Sequence, residues 1–100
     1  MSGSPADALD PLLHPILRLR IAALVAQVDE IEFARLRELV DVSDSVLSKQ
    51  LAALSEGGLV TLRKAAREGR QRTWIAFTRE GRAAYRGHVR ALQALAAAVE

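Results

Sequence analysis

Arg63, Lys64, Arg67, Arg70 and Arg72 place five cations within ten positions, around a single Gly69. Guanidinium groups offer donors in a fixed fork that matches phosphate oxygens, so the run suits contact with a polyanion. The rest of the charge is arranged to agree. From Leu59 to Arg90 nine bases face two acids, and before Leu59 five bases face nine acids, although the net charge is only +2. A polyanion would meet one end of this molecule and not the other. The bland alternative is a solvated loop, or a strand edge guarded by charge.

Other residues that could do chemistry lack their partners. Ser43, Ser45 and Ser48 invite a nucleophile reading, but no histidine lies near them in sequence and no glycine-rich phosphate loop is present. The absence of cysteine excludes disulfides, thiolate metal sites and a cysteine nucleophile. His14 and His88 are isolated, which makes a poor metal site and favours structural or solvent-exposed roles. No catalytic residue, metal or cofactor is therefore expected, and the chain does not read as an enzyme.

The elements that must position the cations follow from periodicity. Residues 1–9 are small and polar and read as a disordered tail, and residues 10–100 read as one domain. Asp10-Pro11 resembles a helix start, and Pro15 to Val28 carries Leu17, Ile21, Leu24 and Val28 at helical spacing. A second line, Leu12, Ile16, Leu19 and Ala23, runs along another side of it. Ile31 fits a minimal strand. Phe33, Leu36, Leu39 and Val40 mark a two-turn helix, Asp41-Val42 a turn, and Ser43 the N-cap of a helix that buries Leu47, Leu51 and Leu54 and stops at Gly57-Gly58.

Val60 and Leu62, then Ile75 and Phe77, alternate as strands, with Lys64 to Arg72 as the hairpin between them. Trp74 points away from Ile75 and Phe77, as a half-buried sheet residue would. Thr78 caps a final helix from Arg79 to Val99, with Tyr85, Leu92 and Val99 at heptad spacing. The fold expected is mainly α (α+β), a winged helix-turn-helix with a two- to three-stranded β-wing between terminal helices.

Burying three leucines turns Asp44, Ser45, Ser48 and Lys49 of the second motif helix outward. Small side chains there let the backbone approach base edges in a major groove, while Ser and Lys can bond bases and phosphates. An ordinary solvated helix face fits that helix equally well when it is taken alone. The adjoining hairpin shifts the balance: Arg70 and Arg72 suit a narrow minor groove, Arg63 and Lys64 suit phosphates, and Arg67 lies among them.

The run Val42-Ser43-Asp44-Ser45-Val46-Leu47-Ser48-Lys49-Gln50-Leu51, followed by Leu54, Gly58-Leu59-Val60, the basic hairpin and Phe77-Thr78-Arg79-Glu80-Gly81-Arg82, resembles the small MarR/ArsR-type winged-helix transcriptional regulators. The opening Leu13-His14-Pro15-Ile16-Leu17-Arg18-Leu19-Arg20-Ile21 is similar to the first helix of a stand-alone branch. The resemblance implies a sequence-specific double-stranded DNA-binding regulator, a repressor, acting as a homodimer on a pseudo-palindromic operator. It places Ser45, Val46, Ser48, Lys49 and Gln50 at the DNA, with Ser43 at the start of the set. Two departures stand out: Val46 is apolar where polar side chains are common, and Asp41 occupies a turn where glycine is frequent.

The helices over 10–28 and 79–100 would make the dimer through Leu12, Ile16, Leu19, Ala23, Leu92, Leu95, Ala96 and Val99, because these lie off the core stripe or beyond the reach of a small core. A chain this short would take a small-molecule effector only at that interface or through stability. No apolar run reaches the roughly 20 residues that span a bilayer, so a cytoplasmic protein without membrane contact is expected. The competing expectation is a winged-helix protein interaction module without DNA affinity, favoured by Glu38, Asp41 and Asp44 near the presumed DNA face.

Overall fold

Asp10 organises the start of the computed structural model, which describes residues 9–98 of the chain. Its carboxylate accepts from the Leu12 N–H at 2.9 Å, and its carbonyl accepts from Leu13 and His14, both at 2.9 Å. This single turn, not yet a helix, buries Leu13 and delivers Pro15 to the first position before α1 (Ile16–Val25). The tail expected over 1–9 lies, apart from Leu9, outside the described residues. α1 buries Ile21, Ala22 and Val25, with Leu17 and Leu24 against the same core. It ends at Val25, three residues short of the expected Val28. There the ladder tightens: Gln27 and Val28 donate to Leu24 and Val25, so the chain can turn towards β1 (Ile31–Glu32).

Helix α2 (Phe33–Val40) buries Leu36 and Val40, and Leu39 is left 41% exposed. Asp41 takes the left-handed conformation at φ 61°, which its short polar side chain tolerates, and reverses the chain into α3 (Asp44–Glu56). Ser43 is the N-cap of α3, its Oγ accepting from the Val46 N–H at 3.2 Å. Leu47, Leu51 and Leu54 are buried as their spacing requires.

Strands β2 (Val60–Arg67) and β3 (Arg70–Phe77) pair antiparallel from Val60↔Phe77 to Arg67↔Arg70, and β1 adds to the other edge of β3 through Ile31↔Ile75. The order is β1-β3-β2. The expected loop from Lys64 to Arg72 is corrected by this register. Only Glu68 and Gly69 are turn, both at positive φ (53° and 76°), the geometry that matches a two-residue hairpin to strand twist. Lys, Arg and Ala give no strand signal of their own; cross-strand pairing extends the ribbon through them.

Thr78 joins the wing to α4 (Arg79–Ala98). Its hydroxyl accepts from the Gly81 N–H at 2.8 Å and donates to the Gly58 carbonyl at 2.6 Å. Gly81 is needed for contact, since a Cβ there would lie 1.8 Å from the Leu59 carbonyl oxygen. α4 buries Gly81, His88 and Ala91, and Ala84 and Tyr85 pack against the core, with the Tyr85 ring 5.8 Å from that of Phe77. The buried line of α4 thus runs through His88, beside the expected Tyr85–Leu92 seam. Past Ala91 its described residues are half-buried or exposed. No helix among the described residues is long and apolar enough to cross a membrane.

Candidate nucleic-acid interface

The three buried leucines fix how α3 is rolled, and roll decides which side chains meet a ligand. Ser45, Ser48 and Lys49 are exposed, as is Val46 at 38%. Ser43 is exposed as well, but its hydroxyl already serves the cap and lies 3.2 Å from the Ser45 hydroxyl. Gln50 is less exposed than the rest of the expected contact set on α3. It sits one residue before Leu51 at the edge of the buried stripe, half-buried, and its Oε1 faces the Arg18 guanidinium at 3.5 Å. Arg18 also donates to the Leu12 carbonyl at 2.8 Å, so Gln50 belongs to the seam between α1 and α3.

A second arginine laces the turn. Arg37 donates from Nε to the Asp44 carboxylate at 3.1 Å and from a terminal nitrogen to the Val42 carbonyl at 3.3 Å, while Arg20 donates to the Val40 carbonyl at 3.2 Å. The angle between α2 and α3 is therefore tied by side chains from two helices. Asp44 stands both at the positive end of the α3 dipole and beside Arg37, so its charge is largely opposed.

Antiparallel register assigns the wing residues to faces, because directly opposed residues point to the same side of a sheet. Leu62, Lys64, Gln71 and Thr73 share the face of buried Ile75, towards α3. Arg63, Arg67, Arg70 and Arg72 share the opposite face with Trp74. On the inner side, Phe33, Asp44, Ser48, Leu51, Leu62, Lys64 and Thr73 enclose an open cleft of about 400 Å³. A neighbouring cleft of about 510 Å³ runs along the edge of β3, where Arg70 and Arg72 of the opposite face, with Glu32, meet Phe33, Ala34, Asp44, Gln71 and Thr73. Ser48 and Lys64 thus border one space although sixteen positions separate them in sequence.

The outer face is less free than its sequence suggests. One terminal nitrogen of Arg63 reaches both carboxylate oxygens of Glu30 at 2.9 Å. Arg72 is paired with Glu32, whose side chain is 22% exposed against 27% for the arginine. The Arg67 guanidinium lies 5.5 Å from the Trp74 ring centroid. Among the described residues, Arg70 and Lys64 have no carboxylate within salt-bridge distance. The two arginines expected to suit a minor groove stand in different settings: Arg70 flanks the turn and is exposed, whereas Arg72 is held at the base by β1. Glu30 and Glu32 sit in the acidic half of the sequence, where charge alone sets them apart from the wing. Their alternation about buried Ile31 is the signal that puts both on the outer face once β1 joins β3.

Of the residues expected at a partner interface, Leu12 packs against its own core, over Gly57, where an added Cβ would meet Leu12 Cδ1 at 2.1 Å. Ile16 is 72% exposed, Leu19, Ala23, Leu92 and Leu95 are half-buried, and Ala96 is exposed. Val99 lies outside the described residues. His88 is fully buried and accepts the Asp10 N–H at Nδ1 at 2.9 Å, so the neutral ring carries its proton on Nε2, which has no partner among the described residues. Burial lowers its pKa, the nearby His14 adds to this, and Asp10 opposes it. His14 meets His88 edge-on at 6.0 Å, and the described residues place no three His, Cys, Asp or Glu side chains together for a metal.

Comparison with known proteins agrees with this geometry. Residues 17–96 match the family model described as a winged helix DNA-binding domain. The chain is 31% identical over 78 residues to uncharacterized protein MJ0432 of Methanocaldococcus jannaschii, covering 78% of this chain and 85% of that one. In structure it is similar to a transcriptional regulator homologue from Pyrococcus horikoshii OT3, with a TM-score of 0.84 and 21% identity over 89% of this chain and 88% of that one. It is also similar to NadR solved with 4-hydroxyphenylacetate, with a TM-score of 0.73 and 23% identity over 96% and 67% of the two chains. At these identities the two structural likenesses establish the fold.

Proposed function

The chain belongs to the winged-helix DNA-binding domain family, and from that premise we propose that it is a sequence-specific regulator of transcription that binds double-stranded DNA as a homodimer and represses by occluding a promoter. The observation that carries this reading is the shared cleft between α3 and the wing. Ser45, Ser48 and Lys49 offer small and cationic groups to base edges, and Lys64 and Arg70 stand ready for the adjoining phosphates or minor groove. The dimer reading rests on Ile16 and on Leu92, Leu95 and Ala96 of α4. It would set two copies at neighbouring major grooves of a pseudo-palindrome.

A protein interaction module without DNA affinity has less support than its acidic residues first give it. Glu38 is paired with Arg35 at 3.5 Å and Asp44 with Arg37 at 3.1 Å. NadR was solved with an aromatic acid, which makes a small-molecule effector part of the proposal without fixing its site. Selection of duplexes from a random-sequence pool tests the reading: enrichment of a two-fold-symmetric motif supports it, and a pool that stays random removes sequence-specific recognition.

A further inference from the structure

The charge asymmetry of the sequence does not survive folding unchanged, and β1 is the reason. Pairing of Ile31 with Ile75 carries Glu30 and Glu32 out of the acidic half of the chain and onto the face of the wing that holds four arginines. Each glutamate takes one of them: Glu30 closes on Arg63 through both carboxylate oxygens, and Glu32 holds Arg72 in a half-buried pair. Arg67 meanwhile lies over Trp74 and Arg70 stays free among the described residues. Of four arginines on one face, two already have an anion.

Resting on the DNA-binding reading, we propose that Glu30 and Glu32 are positioning residues that act as built-in counter-ions, withholding Arg63 and Arg72 from phosphate and so setting the strength of sequence-independent DNA binding by the wing. Phosphate contacts release condensed counterions and carry no sequence information, so an arginine that already has a carboxylate partner releases fewer on binding. The two glutamates differ in exposure. The Glu30 side chain is 41% exposed and its pair is open to solvent, whereas the Glu32 pair also anchors the wing to β1. Glu30 can therefore be altered with little effect on the fold.

The test titrates a random-sequence duplex by fluorescence anisotropy between about 50 and 200 mM salt, with the wild-type chain, Glu30→Gln, Glu32→Gln, Arg63→Gln and the double variant Glu30→Gln/Arg63→Gln. Glu30→Gln and Glu32→Gln should each tighten binding roughly 2- to 5-fold at low salt, as the release of one ion pair allows. Each should also steepen the plot of log affinity against log salt by about 0.9. In the Arg63→Gln background, Glu30→Gln should change neither quantity. Unchanged or weaker binding by Glu30→Gln would overturn the proposal, since the glutamate would then be neutral or would orient Arg63 for DNA. A gain that persists without Arg63 would also overturn it, because general charge and not pairing would be the cause. A wild-type chain that binds no duplex at any salt would remove the DNA-binding reading itself, and the proposal with it. Melting of each variant separates Glu32→Gln from simple loosening of the wing, and Glu30→Gln decides the matter if that variant fails to fold.

Discussion

The Arg37 guanidinium sits between Asp44 and the Val42 carbonyl, 3.1 Å from the first and 3.3 Å from the second, so one side chain of α2 both braces the turn and opposes the acid at the head of α3. The two partners should respond differently to removal. Asp44 is 78% exposed, and Asp44→Asn should cost less than about 1 kcal/mol of stability. It should also tighten DNA binding about threefold or more, because a negative charge leaves the head of the proposed recognition helix and Arg37 is released. Arg37→Ala should weaken binding by more than its change in melting temperature suggests. Paired melting and anisotropy measurements distinguish the two effects.

Gly81 is fixed by contact with backbone and not with a side chain that could move aside. Gly81→Ala would press a methyl to within 1.8 Å of the Leu59 carbonyl oxygen and should cost at least about 3 kcal/mol, or prevent folding. Gly87, further along the same helix, has nothing within 4 Å of the position a methyl would take, and Gly87→Ala should stabilise by roughly 0.5–1 kcal/mol through helix propensity. Thermal or denaturant melts of the two variants should move in opposite directions.

The sequence made the caps and the leucine stripe plain. Ser43, Thr78 and Asp41 carry local physics, and Leu47, Leu51 and Leu54 show one period strongly, so α3 and its neighbours were legible without a structure. What was not legible depends on pairing across long sequence distances. The hairpin continues through Lys64, Ala65 and Ala66 because Thr73, Arg72 and Gln71 lie opposite, and nothing in their own propensities announces it. The Glu30 and Glu32 ion pairs have the same origin, as does the burial of His88, which the Asp10 turn covers from 78 positions away.

His88 should give stability a dependence on pH. Its folded pKa is lowered below the ordinary 6.5, so between those two values the unfolded chain binds more protons than the folded one. The contribution is therefore complete above about pH 6.5 and is lost as pH falls through the folded value. Protonation also removes the Nδ1 acceptor that receives the Asp10 N–H. Melting temperatures from pH 7.5 to 5.5, taken as about one unit either side of 6.5, should fall more for the wild type than for His88→Gln; equal slopes would remove His88 as the source.

Ile16 tests the proposed dimer without touching the core, since it is 72% exposed on α1. Ile16→Asp should leave the melting of a monomeric domain intact while shifting the mass in solution from dimer to monomer. With one half-site engaged at a time, operator affinity should fall about 100-fold or more through lost avidity. Light scattering after size-exclusion chromatography reads the first effect. A wild-type chain that is already monomeric at binding concentrations would contradict the dimer reading.

Sequence-specific DNA binding through α3 and the wing is read by a salt-dependent anisotropy titration of the wild-type chain against a selected duplex and a random duplex of the same length, with Arg70→Ala alongside. The selected duplex should bind about a thousandfold or more tighter than the random one. Both affinities should fall steeply with salt, and Arg70→Ala should weaken both and flatten the salt slope by about 1. Equal affinity for the two duplexes, or binding insensitive to salt and to Arg70, would contradict sequence-specific binding through α3 and the wing.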